Sequence, residues 1–397
     1  MMRTLALVVV LAAQTPAART PYIDAVASYG PGTERQAVAG LLNLRLRDVD
    51  RVFEELDRVC AAQGARTCMP RDLERVGPDV RDRVAGTWRQ LYPRVVAVHA
   101  EALVAAGTTR DLPGVGLHSG VLLRLAARCD EIARGADAPG TIASLAATAR
   151  RLVLWALQYL RYERGLGDTL VILDRAKVRD VEVWLARGAL AELRTRPDAI
   201  AAAEREASAA IERRGALRDS ATPREAESRP TEVKLDREVE RRLDETARIY
   251  REGVAAHPDV PEMHLRLGRV LAVLERLDEA DRHLGMAMTL RPDARQAYLA
   301  ALFLADLRER QRRPEDAVSA YARALQAWPG AQAPVVALAR LRVLNGAVDA
   351  GRATLADLHV ERDIRERSDP WLGYVGGQGW RLSGAIADLQ RTFEPLR

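Results

Sequence analysis

Residues 261 to 292 read PEMHLRLGRVLAVLERLDEADRHLGMAMTLRP. Counted from Pro261 as position 1, Gly268, Ala280, Ala287 and Pro292 fall at positions 8, 20, 27 and 32, and Leu267, Leu271 and Leu284 at 7, 11 and 24. The leucines recur at helical steps in two groups, which predicts two helices folded back on each other. Gly268 and Ala280 stand where the two axes would pass closely, since a larger side chain there would push the pair apart. Leu267, Leu271, Leu284 and Met288 then bury their bulk between neighbouring hairpins. Pro292 ends the second helix because it has no backbone N–H to donate.

The same period extends outward. Pro258 and Pro292 are 34 residues apart, and Pro329 follows 37 after Pro292. In this next unit Ala317, Tyr321 and Ala324 repeat positions 20, 24 and 27, and the three extra residues are expected to lengthen the turn around Arg308 to Arg313. A weaker third unit places Gly351, Leu355 and Leu358 at those positions, with Asp363 where the closing proline would stand. Upstream, Trp184 and Gly188 keep the interval of positions 4 and 8, whereas the matching second helix, with Tyr250, Gly253 and Pro258, comes only after a stretch rich in Ala, Glu and Arg. Two readings stay open. One repeat is split by a solvated insertion, or Trp184 and Tyr250 belong to separate degenerate hairpins.

From about Leu243 to Val360 these spacings resemble the tetratricopeptide-repeat family, with a fainter match at Trp184 and Gly188. The resemblance implies an all-α, right-handed solenoid of helical hairpins that holds a protein or peptide partner in the concave groove lined by the first helix of each unit. In the best unit the groove positions carry Glu262, Leu265, Arg269 and Ala272. A subset of the family grips a terminal carboxylate with Lys or Arg at position 5 and Asn at 9. Leu265 and Arg269 stand there instead, so a groove part apolar and part basic is expected.

Composition agrees with helices. Hydrophobic residues make up 48% of the 397 and aromatic ones only 5%, and strand-like alternating runs are missing. The net charge of +5 is carried almost wholly by Arg, Lys177 and Lys234 being the only lysines, and basic clusters are interleaved with Glu and lack aromatic platforms. Nucleic acid is therefore not an expected partner. Met1-Met2-Arg3-Thr4, the apolar run Leu5 to Ala13 and the small residues to Ala18 predict a secretory signal peptide over 1–18, with cleavage after Ala17 or Ala18. The run is too short to span a bilayer, and no later segment is apolar enough. The mature chain is expected to be periplasmic or secreted.

The predicted layout is a signal peptide (1–18), degenerate helical hairpins (19–180), the first helix of a split repeat (181–199), a charged insertion (200–240), the repeats (241–363) and an aromatic, Gly-rich tail with a capping helix (364–397). Within 19–180, separate helices are expected over Val80 to Gln90 and Val95 to Ala106. Breaks are expected at Asp111 to Gly116 and at Gly165-Leu166-Gly167. Cys60 and Cys68 close a small disulfide ring if the turn at Gln63-Gly64-Ala65 brings them together, and Cys129 reads as a buried hydrophobe.

Residue patterns with chemistry of their own are weak. Gly114, Gly116 and Gly120 imitate a dinucleotide loop but have the wrong last interval and no preceding strand. His257, His264 and His283 are not spaced as a metal pair on one helix face. No catalytic residue, metal or cofactor is expected. The competing reading is an enzyme or small-ligand receptor with a site near His99, His118 and Trp155. The tail Asp369-Pro370-Trp371-Leu372-Gly373-Tyr374, with Trp380 beyond it, is expected to fold over the last hairpin, a sugar or peptide site being the other reading.

Overall fold

In the computed structural model, the described residues are 21–30, 48–134, 140–195, 237–356 and 369–393. The expected signal peptide, nearly all of the charged insertion, and Leu358 and Asp363 lie outside them. Among the described residues every regular element is helical, and they fall into two compact units.

The first unit takes residues up to Ala156 together with Leu382 onward. It contains α1 (Pro21–Ser28), α2 (Asp48–Ala61), the single turn α3 (Pro70–Leu73), α4 (Pro78–Thr108), α5 (Leu112–Ala133) and most of α6 (Gly140–Tyr159). The α4/α5 hairpin is its centre, with α1 and α2 packed on it. One expected break is absent, and the one expected at Asp111 to Gly116 falls earlier, between Thr108 and Leu112. α4 runs unbroken for 31 residues through Pro93, because Tyr92, Val95 and Val96 are buried on either side and their packing outweighs the one hydrogen bond that proline removes. α5 begins at Leu112, where Pro113 sits in the first turn and the Asp111 carboxylate caps the backbone N–H of Gly114 at 3.1 Å. Cys60 and Cys68 form a disulfide with their Cα atoms 5.6 Å apart, and Cys129 is buried, its thiol pushed up to about 12 by burial and by Asp130.

The second unit, Leu157–Arg381, is the hairpin array. After α7 (Glu163–Arg175) and α8 (181–195) come α9 (Arg237–Ala256), α10 (Pro261–Val273), α11 (Leu277–Thr289), α12 (Ala294–Arg310), α13 (Pro314–Ala327), α14 (Gln332–Leu344) and α15 (Val348–Ala356). Each helix from α9 onward packs on the next, and α10 also touches α12, so first helices of successive units line one face. The crossing points are as tight as the small residues require. A Cβ on Gly268 would lie 2.7 Å from Leu284 Cγ, and one on Gly351 would lie 3.0 Å from the Ala339 carbonyl oxygen. Gly188 of α8 is closed over by the ring of Tyr250 in α9, and a Cβ on Gly253 would meet Trp184 at 3.3 Å. Thus the halves on either side of the insertion pack as one hairpin.

Other boundaries differ from expectation. Gly165 and Gly167 lie inside α7, and the break falls at Arg161, which takes φ 52°. The three extra residues of the second unit lengthen its first helix at its end, and α12 also starts one residue earlier in the register, giving 17 residues against 13 in α10. The turn itself is unchanged. In both, a left-handed residue (Glu275, Arg312) is followed by an N–H that reaches back five residues, Arg276 to the Leu271 carbonyl and Arg313 to the Arg308 carbonyl, each at 2.9 Å. This closure, which most often uses glycine, recurs with Arg110, Arg161 and Lys177, whereas Gly346 fits the common pattern.

Candidate functional site

The first helices α8, α10, α12 and α14 form a groove, and the groove is filled. Residues 369–381 lie along it, beginning with a 3-10 turn over Pro370–Gly376. The expected position over the last hairpin is therefore not observed, and Leu344, Val348 and Leu355 of that hairpin remain exposed. The closing helix α16 (Leu382–Arg391) packs on α4 in the first unit.

The segment is anchored at its start by one carboxylate. Asp369 accepts from the Tyr298 hydroxyl at 2.6 Å and from the Ala333 backbone N–H at 2.8 Å, and also caps its own turn by accepting from Trp371 N–H at 3.0 Å. The Pro370 carbonyl accepts from Arg295 at 3.2 Å. Because a 3-10 turn has about three residues, side chains three apart eclipse. Trp371 and Tyr374 accordingly stack with centroids 5.6 Å apart, and both meet the ring of Phe303 edge-on at 5.5 and 5.2 Å. Guanidinium groups cover the stack. Arg269 stands 5.0 Å from the Phe303 ring and 5.6 Å from Trp371, and Arg266 stands 4.7 Å from Tyr374.

Beyond the rings the chain turns at Gly377, φ 58°, where the Gln158 side chain leaves no room for a Cβ. Gln158 receives the Gln378 N–H at 2.8 Å, and a Cβ on Gly379 would strike the Tyr159 backbone at 2.7 Å. Trp380 closes the segment between Arg295 and Arg381, at 4.7 and 4.9 Å.

Beneath the rings lies a buried ionic cluster. Arg266, 1% exposed, donates to Glu262 at 2.8 Å, to Glu192 at 3.2 Å and to the Tyr374 carbonyl at 3.4 Å. Glu192 also accepts from Tyr250, and Glu262 from Gln296 at 3.3 Å. Burial alone would raise the Glu262 carboxyl, but Arg266, Arg295 and Arg381 outweigh it and hold it below its ordinary range. The charged side chains of this cluster thus find their partners within the groove.

Of the residues predicted to line the groove, Glu262 belongs to this cluster, Arg269 covers the ring stack and pairs with Asp306 at 3.0 Å, and Leu265 and Ala272 are fully buried in the surrounding core. Glu192, Arg266, Arg295, Tyr298 and Phe303 are additional to that prediction. Their shared signal is present in the sequence: bulky polar or aromatic residues on the faces of first helices. The residues of the competing reading are packed away. His99, His118 and Trp155 are buried, with Tyr22 donating or accepting at His99 Nε2 (3.0 Å) and the two imidazoles joined Nδ1 to Nδ1 at 3.0 Å. His264 and His283, unrelated by spacing on one helix, meet across a hairpin in the same way at 3.0 Å.

No family model matches the chain, and no curated protein does so either. Among solved structures, a thermophilic TPR protein of Thermus thermophilus is similar at 16% identity and TM-score 0.35, covering 62% of this chain and 99% of its own. The MamA structure MSR-1 C2 is similar at 15% identity and TM-score 0.32, with 52% and 93% covered. On the geometry of its own hairpins, with their glycine crossings and a face of first helices, the second unit is an all-α solenoid of helical hairpins.

Proposed function

We propose that the chain is an exported, non-catalytic scaffold of the cell envelope that binds a protein partner through the groove of its second unit. The observation that carries this reading is the groove's occupation by a short turn of the chain itself, through main-chain, carboxylate and ring contacts of the kind a separate peptide would make. Export is supported by the positively charged, then apolar start of the sequence and by a disulfide, a bond that persists in oxidising compartments. The groove part of the proposal is tested by affinity capture from an envelope fraction with the full chain and with Arg269→Glu. Proteins held in the groove should be captured by the first and lost from the second, because the reversed charge faces Asp306 and uncovers Phe303. Identical captures would contradict the assignment.

A further inference from the structure

Resting on that scaffold reading, we infer that residues 369–381 are an internal stand-in for the partner, and that the partner presents the same chemistry: a peptide with an aspartate followed at the second and fifth positions by aromatic rings. The segment competes with that partner for the groove.

The groove explains each element of the pattern. The single ligand carboxylate, that of Asp369, is received by neutral donors, the Tyr298 hydroxyl and the Ala333 N–H, so a lone acid suffices and no acidic run is needed. Proline next in line supplies the fixed φ that starts a 3-10 turn, and its carbonyl is read by Arg295. The three-residue separation of Trp371 and Tyr374 places both rings on one side of that turn, where Phe303 takes their edges. Arg269 and Arg266 cover them, and since these guanidiniums are already neutralised by Asp306, Glu262 and Glu192, they add ring contact without demanding further negative charge from the ligand. A terminal carboxylate plays no part, because the chain continues past Tyr374 to Arg381.

The test uses a fluorescein-labelled, end-capped peptide of residues 369–381 and three full-length chains: wild type, D369A and W371A/Y374A. The peptide should bind W371A/Y374A about tenfold or more tightly than wild type, with D369A between them, and a peptide with both rings replaced by Ala should lose about tenfold in affinity. Equal binding to all three chains, or no loss on removing the rings, would overturn the inference. Should W371A/Y374A fail to fold, D369A carries the comparison, since it leaves both rings in place. Panning a random peptide library on D369A separates this inference from the reading beneath it. Enrichment of acid–aromatic patterns supports both, enrichment of unrelated peptides overturns the pattern alone, and no enrichment together with no peptide binding counts against both.

Discussion

Replacing Arg266 with Ala should lower the stability of the second unit by about 3–5 kcal/mol. Arg266 is almost wholly buried and divides its guanidinium among Glu262, Glu192 and the Tyr374 carbonyl. Its removal leaves the Glu262 carboxylate, itself 2% exposed, without its closest cation. Burial of an uncompensated charge is the dominant penalty, and the lost contact with the Tyr374 ring adds to it. Urea unfolding of wild type, R266A, E262Q and the double variant checks this. R266A and E262Q should be strongly non-additive, because the second change removes the charge that the first one strands. A loss below about 1 kcal/mol for R266A would show that the cluster is solvated.

A second large effect should come with acid. In the first unit the imidazole of His118 is held down to about 4 by burial, partly opposed by the Asp111 carboxylate, and His99 lies well below its ordinary value through burial and the neighbouring His118. Both rings are therefore neutral in the folded chain at pH 7. Unfolded, they would take up protons near 6.5, so the unfolded chain binds more protons as pH falls and stability drops. The window runs from about 6.5 down to about 4, the contribution being intact above it and spent below. For His118 alone the span corresponds to about 3 kcal/mol. The groups facing the pair are Tyr22 and Asp111, and the Tyr22 hydroxyl stays protonated throughout because burial and Glu55 push it up. H118N keeps a hydrogen-bonding side chain beside His99 and cannot take up the proton. Urea midpoints measured from pH 7.5 to 4 should fall less steeply for H118N than for wild type, and parallel curves would contradict the assignment.

The repeat array was legible because its signal is local. Gly268, Ala280, Ala287 and Pro292 lie within one 32-residue unit, and each position answers one steric demand of two crossing helices. The register of Trp184 and Tyr250 was readable for the same reason, although joining the two across the insertion required the packing of Gly188 under the Tyr250 ring. Turns were less legible. Left-handed closures built on Glu275, Arg312, Arg161 and Lys177 carry no glycine, so nothing in those residue types marks them. Glycines drew attention to the wrong places instead: Gly165 and Gly167 serve the packing of α7 against Tyr162 and Leu190 within a continuous helix. The expected separation of Val80 to Gln90 from Val95 to Ala106 failed for a related reason, because the burial of residues on either side of Pro93, which keeps the helix going, is a tertiary property.

The filling of the groove was the hardest feature to read. Its contacts join Arg266 to Tyr374 across 108 residues and Glu192 to Arg266 across 74, distances over which spacing carries no information. What the sequence did show was the composition of each side separately. A groove part apolar and part basic was read from Leu265 and Arg269, and a dense aromatic cluster from Trp371, Tyr374 and Trp380. Arginine faces and aromatic rings are complementary, and the structure pairs them at Tyr374, Phe303 and Trp371 and twice at Trp380.

The measurement that bears most directly on the occupied groove is hydrogen exchange of the full-length chain, read by mass spectrometry over residues 369–381. Amides of Trp371 and Gln378, held by the Asp369 and Gln158 side chains, should exchange slowly in wild type and much faster in W371A/Y374A, with 261–273 and 294–310 still protected in both. Exchange of 369–381 at the rate of an unstructured peptide in wild type would contradict an occupied groove, and with it the reading of this segment as the partner's stand-in.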